Sequence, residues 1–165
     1  MSHVTLHPTA HLPAPSQAWE RARQEPAYGA FLLLQVGFVV LPLWMGADKF
    51  ANTLTYWPGY LAPWIVHLLP FSAQTAMLVV GAIEIVAAIA VVLKPRYAAY
   101  VVALWLAGII VNLLTYSGYY DVVLRDAALL VAALALGRLA AVYDPAGLGS
   151  GKRHRDVTGD AALTR

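Results

Sequence analysis

The stretch 73–93, AQTAMLVVGAIEIVAAIAVVL, decides the fold. It is an unbroken apolar run with one ionisable residue, Glu84, near its middle. About 20 residues rising 1.5 Å each cross the roughly 30 Å hydrocarbon core of a bilayer, so the run reads as a transmembrane helix. A carboxylate halfway along such a helix costs about 2.5–3.5 kcal/mol on insertion scales, so Glu84 requires a partner, a proton or a wet cavity. Gly81 and Ala87–Ala88 stand one turn either side of it. The carboxyl therefore projects from a small-residue face that another helix can approach closely.

The composition agrees. Of 165 residues 60% are hydrophobic and 12% charged, a profile of an integral membrane protein rather than a soluble domain. The net charge of +2 comes from basic residues in short flanks of apolar segments, which points to membrane topology and not to nucleic acid. With no cysteine, disulfides, thiolate metal sites, iron–sulfur clusters and thiol catalysis are excluded.

Three further spans follow from apolar length, giving four helices at about 28–47, 73–93, 97–117 and 122–143. The first contains Pro42, which predicts a kink, and it is too long and too late in the chain for a cleaved signal peptide. Lys94-Pro95-Arg96 is a turn too short for anything but an antiparallel return. Gly108, Asn112 and Thr115 form a small, polar stripe on the third helix, where Asn112 is expected to bond a neighbouring helix. Ala128, Ala132 and Ala135 give the fourth a small packing face. The segment 50–72 has no charge among Asp, Glu, Lys and Arg, and its aromatics Tyr56, Trp57, Tyr60, Trp64 and Phe71 alternate with Pro58, Pro63 and Pro70. Such a segment cannot span; it belongs in the headgroup layer as an anchor or lid, with a short helix around 60–69.

Outside the membrane domain, 28–143, residues 1–27 and 144–165 read as flexible tails, with a short surface helix over 17–24 carrying Trp19. His3, His7 and His11 recur every four residues, but Pro8 and Pro13 oppose the helix that would align them, so no metal site is expected. His67 has no second histidine in a span, which argues against bis-histidine haem.

With four alternating helices, nine of eleven basic residues fall on the side of both termini, and five against two remain without those at 152–165. Both termini are thus expected in the cytoplasm. Asp48-Lys49 and Arg125-Asp126 then share one outer level, which favours ion pairs between the first and last helices over a binding site for a polar headgroup; Asp48 with Arg125 and Lys49 with Asp126 is the preferred of the pairings the sequence leaves open. Glu84, about 11 residues down its helix, has no cation at its depth and is expected to be neutral. A cavity descending past Asn112 to Glu84 under Trp57 and Trp64 would suit a quinone headgroup.

A first helix ending GADKF, an aromatic outer loop, GAIEIVAAIAVVL before a tight basic turn and a last helix opening RDAALLVAALALG resemble the DoxX-like family of small four-helix membrane proteins. The likeness covers about 29–139. It implies an all-α, antiparallel four-helix bundle in the inner membrane, and some members are linked to quinone-coupled sulfur oxidation or oxidative-stress complexes. Many members have no known activity, and the resemblance carries no assigned catalytic roles; with no cofactor motif in the sequence, the first reading is a non-autonomous membrane subunit with a redox-protein partner. A scaffold without catalysis, oligomeric or not, and a small-solute or proton pathway are the competing readings.

Overall fold

The computed structural model describes residues 15–143, all helix, turn and loop. Helix α1 is Pro15–Gln24, α2 is Pro26–Ala51, α3 is Pro63–Leu68, α4 is Ala73–Leu93, α5 is Pro95–Leu114 and α6 is Tyr120–Tyr143, with a 3-10 turn at Trp57–Tyr60 before α3. Among the described residues α2, α4 and α5 are long and apolar enough to cross a membrane. Helix α6 matches them in length at 24 residues and carries Asp121, Arg125, Asp126 and Arg138.

Local sequence sets the helix ends. Proline occupies the first position of α2, α3 and α5, where its missing N–H costs nothing and its fixed φ suits a helix. Ser72 caps α4, its hydroxyl accepting from the Thr75 N–H at 3.2 Å. Asn52 ends α2 in the left-handed region at φ 52°, donating its N–H to the Asp48 carbonyl. A single residue, Lys94, separates α4 from α5.

Helix α2 differs from the expected 28–47. It runs through Pro42 to Ala51, 26 residues or roughly 39 Å, longer than the hydrocarbon core. Asp48 and Lys49 consequently lie inside the last turn rather than beyond it.

The four long helices pack in antiparallel order. Asn52 bonds Gln74 at one end of α2 and Gln35 bonds the Val91 carbonyl towards the other, which fixes α2 against α4. These two helices meet most closely at Gly46 and Gly81. A Cβ added to either would stand 2.7 Å from the other's carbonyl oxygen, so only glycine fits at both. Helices α5 and α6 make the other extensive interface, where Gly137 lies under the Tyr100 ring. The core between them uses Ala99, Ala103 and Leu106 against Ala133, Leu136 and Ala140.

That core corrects two expected faces. Ala128 and Ala135 are exposed and Ala132 is half-buried; the packing stripe of α6 is Ala133, Leu136, Gly137 and Ala140, one residue round the helix. Alanines occur on several faces of α6, so small size alone does not select one. Gly108 is exposed with nothing near its absent side chain, so the stripe expected through Gly108 and Asn112 is no helix interface.

Candidate functional site: a buried ion pair under a tethered loop

Lys49 and Glu84 meet. The Nζ of Lys49 donates to the Glu84 carboxylate at 2.7 Å, with the two side chains only 5% and 14% exposed, and also reaches the Met45 carbonyl at 3.4 Å. Depth counted along the chain had placed them apart. Taking Asn52 opposite Gln74 as the common level, Lys49 is three residues down α2 and Glu84 ten down α4, a difference of roughly 10 Å in rise. Helical side chains lean towards their own N-termini, however, and in antiparallel helices that tilts Lys49 inward and Glu84 outward, so they converge. Lys49 is the cation at Glu84's reach that the sequence reading denied.

Asp48, next in the chain, turns the other way. A carboxylate at a helix C-terminus faces the negative end of the macrodipole and needs donors. The following loop supplies three: the Thr53 and Leu54 N–H groups at 3.2 and 3.1 Å and the Trp57 indole N–H at 2.7 Å. That bond sets the Trp57 ring over the Lys49 ammonium, 3.8 Å from ring centroid to Nζ. A desolvated ammonium on an indole face gains about 2 kcal/mol, so Trp57 both shields and holds the cation.

The predicted ion pairs between the first and last helices therefore do not form. Asp48 is satisfied by its own loop, Lys49 by Glu84, and Arg125 pairs with Asp121 at 3.2 Å on the exposed side of α6. The i, i+4 spacing lets Arg125 find a carboxylate without leaving its helix. Asp126 is half-buried and makes no ion pair among the described residues.

Asn112 and Trp64 belong to a different construction. The Asn112 side chain accepts from the Ala62 N–H at 2.9 Å and donates to the Tyr60 carbonyl at 2.7 Å, so one amide closes both backbone groups of the loop as a neighbouring strand would. Trp64 donates to the Thr115 hydroxyl at 2.9 Å, and the Tyr116 hydroxyl donates to the Gly59 carbonyl at 3.0 Å. Burial, together with Tyr119 and Tyr60 beside it, pushes the Tyr116 hydroxyl up to about 12. The loop is fastened to α5 by these bonds and to the ion pair by Trp57.

The expected quinone cavity of Glu84, Asn112, Trp57 and Trp64 is thus not assembled. Each of the four polar groups is already engaged, by Lys49, by the loop backbone, by Asp48 and by Thr115 respectively. These residues do not fit a quinone headgroup. Sequence reading also passed over Trp105 on α5, whose indole nitrogen is buried with no protein partner among the described residues. An apolar run hides such a donor, because tryptophan counts as hydrophobic.

At the other end of the bundle, the short helix expected within the N-terminal tail is α1. The Arg21 guanidinium lies 4.4 Å from the Tyr28 ring and 5.6 Å from that of Tyr143, and Arg21 bonds Glu25 at 3.0 Å. The Tyr143 hydroxyl completes the set by donating to Glu25 at 2.7 Å, which ties α1 and the start of α2 to the end of α6. The Tyr143 hydroxyl, and after it Arg21, hold the Glu25 carboxyl below its ordinary value. The short helix expected over 17–24 is present and starts two residues earlier, at Pro15; its tie to Tyr28 and Tyr143 is what the sequence did not show. His3, His7, His11 and 144–165 lie outside the described residues.

No group of three or more metal-ligating side chains occurs among the described residues. Comparison with protein-family models, with curated proteins and with solved structures finds no match to this chain.

Proposed function

We propose that this chain is a DoxX-like, four-span inner-membrane protein with both termini cytoplasmic. It acts as a non-autonomous membrane subunit of a quinone-linked redox or oxidative-stress complex, in which the Lys49–Glu84 pair handles a proton. The observation that carries this reading is the pair itself: an ammonium and a carboxylate buried together in apolar helices and covered by an indole. Ionisable groups at such depth are expensive and mark function by default. Since the residues first expected around a quinone are all engaged, the quinone chemistry is assigned to the redox-protein partner, and no step is routed through a quinone held by this chain.

The test is purification from native membrane. A flavin- or haem-bearing partner is expected in stoichiometric amount, with quinone-linked turnover. Glu84→Gln alone does not isolate the proton role, because it strands Lys49. The double variant Lys49→Met with Glu84→Leu removes both charges, and it should assemble with the partner while losing turnover. Full turnover in that variant removes the pair from proton handling, and the lack of any redox partner sinks the reading altogether. For topology, single cysteines at Ser2, Ser117 and Ser150 can be labelled in the cysteine-free chain, with only Ser117→Cys reactive from outside intact cells.

A second reading, a scaffold without chemistry, draws support from the pairing of Asp48, Lys49, Glu84, Trp57, Trp64 and Asn112 with partners inside the chain. It expects the double variant to keep both partner and turnover.

A further inference from the structure

The two ends of the bundle carry opposite charge. Near Lys49 the described residues hold Asp48, Glu84, Asp121 and Asp126 against Lys49 and Arg125. The other end holds Arg21, Arg23, Lys94, Arg96 and Arg138 against Glu20 and Glu25. Among these five basic residues only Arg21 is ion-paired within the described residues, and Arg23, Lys94 and Arg138 are exposed.

Helix α1 lies at this basic end and is not a continuation of α2. Glu25 breaks the helix at φ −124° and ψ 93°, and Pro26 cannot donate to the Ala22 carbonyl. Ala22 packs against the core, and its carbonyl oxygen stands 3.0 Å from where a Gly29 Cβ would be. With Arg21 seated on Tyr28 and Tyr143, α1 is fixed across the end of the bundle. Its remaining large side chain, Trp19, is 62% exposed, with the Arg23 guanidinium 5.6 Å from the ring. A helix pinned at a span's end that exposes an indole beside an unpaired arginine offers the two groups that headgroup layers accept, an amphipathic ring and a cation.

We infer that α1 is a docking surface for anionic phospholipid headgroups of the leaflet at this end, with Trp19 in the headgroup layer and Arg23 on the phosphates. Charge complementarity selects the occupant. The surrounding Lys94 and Arg96 extend the same positive field, and a bilayer surface is the one anionic surface that every copy of a spanning bundle meets. The inference stands independently of any redox role.

The full chain, carrying Gln17→Cys labelled with an environment-sensitive fluorophore, is placed in nanodiscs of phosphatidylcholine or of phosphatidylcholine with phosphatidylglycerol. Emission should shift to the blue and become accessible to lipid-borne quenchers only in the anionic discs, and both effects should fade with added salt. Arg23→Glu should abolish the lipid dependence, Arg23→Lys should keep it, and neither should change thermal unfolding. Equal emission in the two lipids overturns the inference. So does a lipid dependence that survives Arg23→Glu, and so does quenching by aqueous agents alone in both discs, which would mark a solvent-facing surface.

Discussion

Lys49 and Glu84, on antiparallel helices at levels roughly 10 Å apart, form a 2.7 Å ion pair because each side chain leans towards its own helix N-terminus. Removing one member leaves a charge in a poorly hydrated site, for which about 3–5 kcal/mol is typical, whereas removing both is close to neutral. Lys49→Met and Glu84→Leu should each be destabilised by that order, and the double variant by less than either. Thermal unfolding in detergent measures all three; additive losses would mean that the pair contributes nothing.

Gly81→Ala should be damaging out of proportion to one methyl group. The new Cβ meets the Gly46 carbonyl, which is backbone and cannot rotate aside, so α2 and α4 must separate. Overpacking of this kind costs about 1–3 kcal/mol. Gly108→Ala, with open space at its Cβ, is the matched control and should unfold at the wild-type temperature or slightly above.

Asn112→Ala should release the outer loop. It leaves the Ala62 N–H and the Tyr60 carbonyl without their partner, at about 1–3 kcal/mol for each group that stays dry. Asn112→Asp is more selective, since a carboxylate can accept from Ala62 but cannot donate to Tyr60. Limited proteolysis between Leu61 and Leu69 should rank the three proteins wild type, Asp, Ala in order of increasing cleavage. Equal cleavage would show that the loop is held without the amide.

Acid should loosen α1. The Tyr143 hydroxyl, then Arg21, hold the Glu25 carboxyl below its usual value, so the folded state favours the ionised form. The stabilisation is complete above the unfolded value, about 4.3, and is lost as pH falls through the lower folded value. A spin label on Gln17→Cys should gain mobility across that acid window. In Glu25→Gln the step should vanish, and a step that persists there belongs to another group.

Most of the helical architecture was legible because lipid imposes a simple demand: long apolar runs must close their backbone bonds internally, and breaks fall at proline, glycine and charge. The limits 73–93 of α4 could be read directly, from Ser72 as cap to Lys94 as stop. The site was less legible. Asp48 and Lys49 marked the end of a span by hydropathy, yet they continue the helix, because their charges are met by Trp57 and Glu84 from elsewhere in the chain. Asn112 was singled out correctly as a polar group needing partners, but those partners are backbone atoms of a loop, which no residue identity advertises. Side-chain lean, rather than residue spacing, chose the partner of Glu84.

The bundle's two extensive interfaces join α2 to α4 and α5 to α6, while α4 and α5, only one residue apart, pack more lightly. The chain is therefore two consecutive helical hairpins. As the polypeptide emerges from the ribosome, the first hairpin can bring Gly46 onto Gly81 and neutralise Glu84 with Lys49 before the second hairpin has fully emerged. The base that neutralises Glu84 lies 35 residues earlier in the same hairpin, so the acid's partner is already in the chain when the acid is added.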